Sequence, residues 1–261
     1  MKIALCLSGY VGSLSKFHKG GAEIDINEGY GYLKKNVIQD YDVDIFIHSW
    51  DVNRAEEIVK TYNPCLFQIE PQIEQFKLDH SKYDDKPHDQ VGRKFSMRDV
   101  VFGCQSQKYS RMRSIELKTV YEQANNFEYD LVFITRFDLA FMQPFPYDKK
   151  FKWNGKDFSR DVEITGSKVY AAGNSRPNAI NDFYYLTDSK KANIIGDFYN
   201  HMEGAGLGRY INIHHVEYNY MFNEKNLPIE YLYIRPWSDP IWAGDIRLLR
   251  TNPNVKLKNG I

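Results

Sequence analysis

Asp130–Phe141 reads DLVFITRFDLAF. Its first half, "DLVFIT", is a short apolar run rich in β-branched and aromatic residues. That fits a strand buried on both faces. Arg136 and Asp138 then break the run, and apolar residues resume at once. Side chains alternate along an extended chain, so residues 136 and 138 share one face and Phe137 packs behind them. An arginine and an aspartate side by side at the end of a core strand are either an ion pair closing the strand or part of a site.

The chain upstream places this strand fourth in a series. "KIALCL" (2–7) is a buried strand leading into "SGYVGS". Tyr30, Leu33, Val37 and Ile38 form a helical stripe, "VDIFIHSW" (43–50) a second strand, Ala55, Ile58, Val59 and Tyr62 a second helix, and "CLFQIE" (65–70) a third strand. Residues from about Pro71 to Gly103 lack a period and are expected to form a long excursion. A helix is predicted from about Gln105 to Asn126, with Leu117, Val120, Tyr121 and Ala124 as its apolar face. Traced backwards, that face meets Ser106, Ser110, Arg113 and Ser114, so its first turns border either a polar cleft or solvent.

Strands alternating with helices imply an α/β fold with a mostly parallel sheet covered on both faces. In such sheets ligands bind outside the carboxyl ends of the strands. Three polar clusters fall there: Ser8-Gly9-Tyr10, His48-Ser49-Trp50-Asp51, and Arg136 with Asp138. After Pro144 the pattern becomes α+β, with strands expected at "VEITG", "KVYAA", "DFYYLT" and "IEYLYIR" and helices near 188–201 and 216–223. No linker divides the chain and no repeat is visible. One continuous domain, 1–261, is expected, with a ligand-binding first half (1–143) and a second half (144–261).

Bulk properties narrow the class. At 261 residues, 43% hydrophobic and 26% charged, the chain can bury a sizeable core. Lys+Arg and Asp+Glu balance at 34 each, which gives no general attraction for nucleic acid. No run reaches the length of a membrane span, and "MKIALCLSG" is too short for a signal peptide, so a cytoplasmic protein without a transmembrane segment is expected. Cys6, Cys65 and Cys104 show no metal spacing; Cys6 and Cys65 lie in apolar runs and are expected to be buried thiols.

The pieces "IALCLSGYVGS", "DIFIHSW", "SQKYSRMRSIEL", "YDLVFITRFDL", "NDFYYLTDS" and "HHVEYNYMF" occur in this order. Together they resemble bacterial and viral surface-polysaccharide glycosyltransferase-like proteins with the GT-A fold. The resemblance implies transfer of a sugar from a nucleotide-sugar donor to a glycan acceptor. It implies a Rossmann-like sheet with the donor-binding half first and the acceptor-binding half second. It also implies an Asp-X-Asp motif after the fourth strand, holding Mn²⁺ or Mg²⁺ and the donor diphosphate. Here the first aspartate is Arg136. Asp138 is then the metal candidate, or Arg136 itself neutralises the diphosphate without a metal, since guanidinium binds phosphate in a fork and cannot ligate a cation.

"SGYVGS" is either a plain strand-to-helix turn or a place where glycine backbone approaches a ligand. By the resemblance, Ser8, Gly9 and Tyr10 lie against the donor, with Ser49 in the same pocket; the polar first half of the 105–126 helix is expected to turn Arg113 and at least one of Ser106, Gln107 and Ser110 toward the same cleft. An inverting transfer also needs a general base. Asp182, just before "FYYLT", and Glu217, after His214 and His215, are the candidates; an acid in either place is more often a cap or a surface acid than a catalyst. The alternative class is a non-catalytic carbohydrate- or nucleotide-binding relative that has lost the metal motif.

Overall fold

The computed structural model describes residues 1–11, 24–84, 96–142, 144–145, 147, 151–154, 159–173, 178–207, 213–232 and 246–249. Its core is a seven-stranded sheet in the order β10-β8-β9-β4-β1-β2-β3. The strands are β1 (Lys2–Gly9), β2 (Asp42–Ser49), β3 (Leu66–Ile69), β4 (Leu131–Arg136), β8 (Val169–Ala171), β9 (Tyr184–Thr187) and β10 (Ile229–Tyr231). β1 to β4 are mutually parallel. β9 runs antiparallel to both β4 and β8, so it alone is reversed. The fold is therefore α/β with a mostly parallel mixed sheet, compatible with a Rossmann-like architecture.

Alternation divides the core. Ile3, Leu5, Leu7, Ile45, Ile47, Leu131 and Phe133 face α1 (Ile26–Leu33, continued as a π-helical turn to Ile38) and α2 (Ala55–Tyr62). Ala4, Cys6, Phe46, Val132 and Ile134 face α3 (Met97–Asn125), α4 (Ser189–His201) and α5 (Ile213–Tyr218). Both faces of the central strands are thus dry, which is why they read as continuous apolar runs. Beyond β4 the chain turns at Phe137 and enters β5 (Leu139–Phe141), which pairs with β11 (Ile246–Leu248). A short hairpin, β6 (Phe151–Asn154) with β7 (Ser159–Val162), stands apart from the main sheet.

Four expectations need correction. The helix α3 starts at Met97, inside the stretch read as an excursion, because Ser96 and Asp99 form a capping box. Its buried face is also different. Val120 is 56% exposed, whereas Cys104, Lys108, Arg111, Ile115, Lys118 and Glu122 are buried. Those six positions are spaced as one helical stripe, but three cations within it disguise it as a solvent face. Cys65 is exposed at the sheet edge beside Asp44, while Cys104 is buried. Of "VEITG" only Val162 belongs to a strand, the end of β7. "IEYLYIR" contributes β10, and its part beyond Leu232 lies outside the described residues, as do Gly12 and Ser13 of "SGYVGS".

A charge row at the carboxyl edge of the sheet

The chain passes from β1 to β2 on one side, then returns to place β4 on the other side of β1. The crevice outside the carboxyl ends at such a reversal is where α/β sheets bind ligands. In register, Gln68, His48, Ser8 and Arg136 lie abreast across β3, β2, β1 and β4. All four fall on the α3 side by alternation. The reversed β9 adds to this edge: Tyr184 pairs with Thr135, so the residues preceding β9 arrive beside Arg136.

α3 crosses this row. Its Arg113 donates to Gln68, and also pairs with Glu116. Its Ser110 accepts from the Gly9 backbone N–H at 2.8 Å and lies 2.8 Å from His48 Nδ1. Its Gln107 donates to Asp182 at 2.7 Å. Ser106 accepts from Gln72, which in turn accepts from the Tyr10 hydroxyl. Arg113, Ser110 and Gln107 therefore share one stripe, with Arg113 at the far end over β3. Gly9, Tyr10, Gln107, Arg113 and Arg136 are partly exposed, while Ser8, Ser49 and Asp138 are buried. Ser49 Oγ accepts from the Asp51 N–H, and the Asp51 carboxylate accepts from Val11 N–H, tying the two loops together. Trp50 is a packing residue, 4% exposed and stacked on Tyr109.

From Arg136 inward runs an alternating row of charges. Arg136 grips both oxygens of Asp138, Nε to Oδ1 at 2.8 Å and Nη2 to Oδ2 at 2.5 Å. Its Nη1 lies 3.7 Å from Asp182 Oδ1. Lys108 Nζ stands between Asp182 (2.9 Å) and Glu217 (2.8 Å). Arg111 pairs with Glu217 at 2.5 Å and packs over Tyr185 and Phe198. Phe137 sits on the opposite face against Tyr62, as alternation predicts. The ion pair read from "RFD" is present, and it is the outer end of this longer row.

The row fixes the chemistry of its members. Burial pushes the Asp182 carboxyl up, but Lys108, His214 and Arg136 together hold it well below the usual carboxylate range. Burial likewise raises Glu217, and Arg111 and Lys108 outweigh it, leaving Glu217 below its ordinary value. Burial lowers Arg136, and Asp138 more than restores it, so the guanidinium is raised. Neither Asp182 nor Glu217, so paired, is a proton acceptor of ordinary strength. The two adjacent histidines diverge: His215 bonds the Asn178 carbonyl at 2.8 Å, and His214, partly exposed, has Nδ1 3.9 Å from Asp182 Oδ1. His48 is buried between Ser110 and Glu70, and its burial lowers its pKa against the pull of Glu70.

For a divalent cation the fit is poor. Among the described residues no group of three or more His, Cys, Asp or Glu side chains is arranged to hold a metal. Asp138, the one expected ligand, already has both oxygens on Arg136.

Lys108 and Arg111 were not legible as site residues. The available signal was their place on the stripe of Cys104 and Ile115, but their partners Asp182 and Glu217 lie more than 70 positions away. Compared with known proteins, the chain matches no family model and no curated protein. No helix among the described residues is long and apolar enough to cross a membrane.

Proposed function

We propose that this chain is a GT-A-like glycosyltransferase that moves a sugar from a nucleotide-sugar donor to a glycan hydroxyl. The observation that carries the proposal is the partly exposed side chain of Arg136 at the β1–β4 reversal, paired with Ser8 next to Gly9. A guanidinium there suits a diphosphate, which it binds in a fork. Gly9 supports the same placement. Its φ is +104°, and a Cβ on it would meet nothing within 4 Å, so that side of its Cα leaves room for a ligand while its N–H is held by Ser110.

In this proposal Asp182 and Glu217 act as charge partners that orient Arg136, Lys108 and Arg111. The proton of the acceptor hydroxyl goes to His214, an imidazole of the second half that stands beside Asp182. His214 is partly exposed, and Asp182 stands 3.9 Å from its Nδ1. The second half of the chain supplies both residues and thereby the acceptor side.

A second proposal is a non-catalytic carbohydrate- or nucleotide-binding protein. It is favoured by the full pairing of the carboxylates in the row. A thermal-shift panel of nucleoside diphosphates and nucleotide sugars, with and without Mn²⁺, tests the donor class. A ligand at about 100 times its dissociation constant stabilises by about 2.7 kcal/mol. Donor hydrolysis by the purified chain separates enzyme from binder, and absence of any nucleotide response overturns both nucleotide readings.

A further inference from the structure

We infer that Arg136 occupies the place of the divalent cation in this site, so that Asp138 ligates no Mn²⁺ or Mg²⁺. This deepens the reading of a diphosphate site and rests on it. The first ground is occupancy. A carboxylate binds a hard cation through its oxygens, and both oxygens of Asp138 are hydrogen-bonded to one guanidinium. The second is the surroundings. Asp182, the nearest other carboxylate on Arg136, is itself held by Lys108 and Gln107, and Glu217 is held by Lys108 and Arg111. A cation recruiting any of them strips a buried base of its partner. The third is electrostatic: an ion on Asp138 would sit against a guanidinium bound to the same carboxylate, like charge beside like.

The same geometry leaves Arg136 able to serve an anion. A guanidinium carries five N–H groups, and the grip on Asp138 uses two of them, Nε and one on Nη2. Nη1 stands 3.7 Å from Asp182, longer than a hydrogen bond. The side chain can therefore keep Asp138 and still donate to phosphate oxygens. Asp138 then acts as a positioning residue: it holds the fork at a fixed angle over the carboxyl edge, with the Phe183 ring against the guanidinium at 5.8 Å.

Two measurements on the full chain decide this. Mn²⁺ alone is titrated and followed by its electron paramagnetic resonance, for the native chain and for Asp138→Asn. The affinities of UDP, GDP, CDP and ADP are measured with Mn²⁺ and with EDTA. The expected result is that the two chains take up Mn²⁺ equally or not at all, and that diphosphate affinity is the same under both conditions. Uptake by the native chain that Asp138→Asn abolishes overturns the inference. So does a rise in diphosphate affinity of about fivefold or more with Mn²⁺ that is lost in Asp138→Asn. If none of the four nucleotides binds, the diphosphate reading falls, while the Mn²⁺ titration still decides the role of Asp138.

Discussion

Replacing Lys108 by methionine removes one ammonium from the middle of the charge row and keeps the length of the side chain. Lys108 is 1% exposed and lies within 3 Å of two carboxylates. Removing one partner of a buried ion pair costs about 3–5 kcal/mol. Doubling that figure is not warranted, because Arg111 still holds Glu217 at 2.5 Å and Arg136 and His214 remain within 4 Å of Asp182. The expected loss is therefore about 3–5 kcal/mol in urea unfolding at neutral pH. The pH profile gives an independent check. Asp182 is depressed in the native chain, so its stabilisation is present above its unfolded pKa of about 3.9 and is lost as pH falls through the folded value. Without Lys108 the depression shrinks, and the variant loses less stability than the native chain on acidification below about pH 4. The double variant Lys108→Met/Asp182→Asn is expected to recover part of the loss, with a coupling of about 0.5–3 kcal/mol. A Lys108→Met chain within about 1 kcal/mol of native, with an unchanged acid slope, refutes the row as a set of energetic contacts.

Other outcomes follow from single positions. His214→Gln is expected to lower donor turnover by about 10²–10⁴-fold with donor affinity kept; unchanged turnover removes His214 as the proton acceptor. His48, with its pKa lowered by burial, makes folding less favourable as pH falls below about 6.5, and a His48 NMR titration midpoint at or above that value contradicts this. Gly9→Ala places a Cβ in open space but at φ +104°, so thermal unfolding should report about 1–3 kcal/mol of strain, and a neutral effect argues against that backbone angle. Burial pushes the Cys6 and Cys104 thiols up to about 12, so alkylation of the native chain at neutral pH should spare both, and rapid loss of either thiol contradicts their placement.

The central sheet was legible because β1 and β4 are nearly continuous apolar runs and β2 carries Ile45-Phe46-Ile47 at its centre, and the strands differ from expectation by one or two residues at their ends. The grouping of Ser8, His48 and Arg136 followed from the same pattern, since parallel strands put their carboxyl ends together. The long helix was harder. Apolar periodicity pointed to Val120, yet the buried stripe carries Lys108, Arg111, Lys118 and Glu122. A charged residue is read as solvent-facing unless its counter-ion is known. Here the counter-ions include Asp182 and Glu217, brought in by strand and helix placement rather than by spacing along α3. Lys118 and Glu122 do pair locally at 2.9 Å, and Ser189 of α4 bonds both, so even that pair gains its meaning from a distant element. The start of α3 was available in "SMRD", where Ser96 and Asp99 cap each other.

The reversal of β9 has a consequence for how such a chain can change over descent. Because it delivers Asp182 from the second half against Arg136 and Lys108 from the first, the charge row joins segments that are distant in the gene. A single substitution that alters sign at any interior member leaves a neighbour unmatched in a dry environment, and folding suffers before function is tested. Change along this row is therefore expected to proceed by compensated pairs, with position 108 drifting together with 182 and 217, and 111 with 217. Arg136, partly exposed at the outer end, and Asp138, buried beneath it, are expected to change only as a couple. In a set of homologous sequences, correlated replacement at these positions would mark the row as an inherited unit.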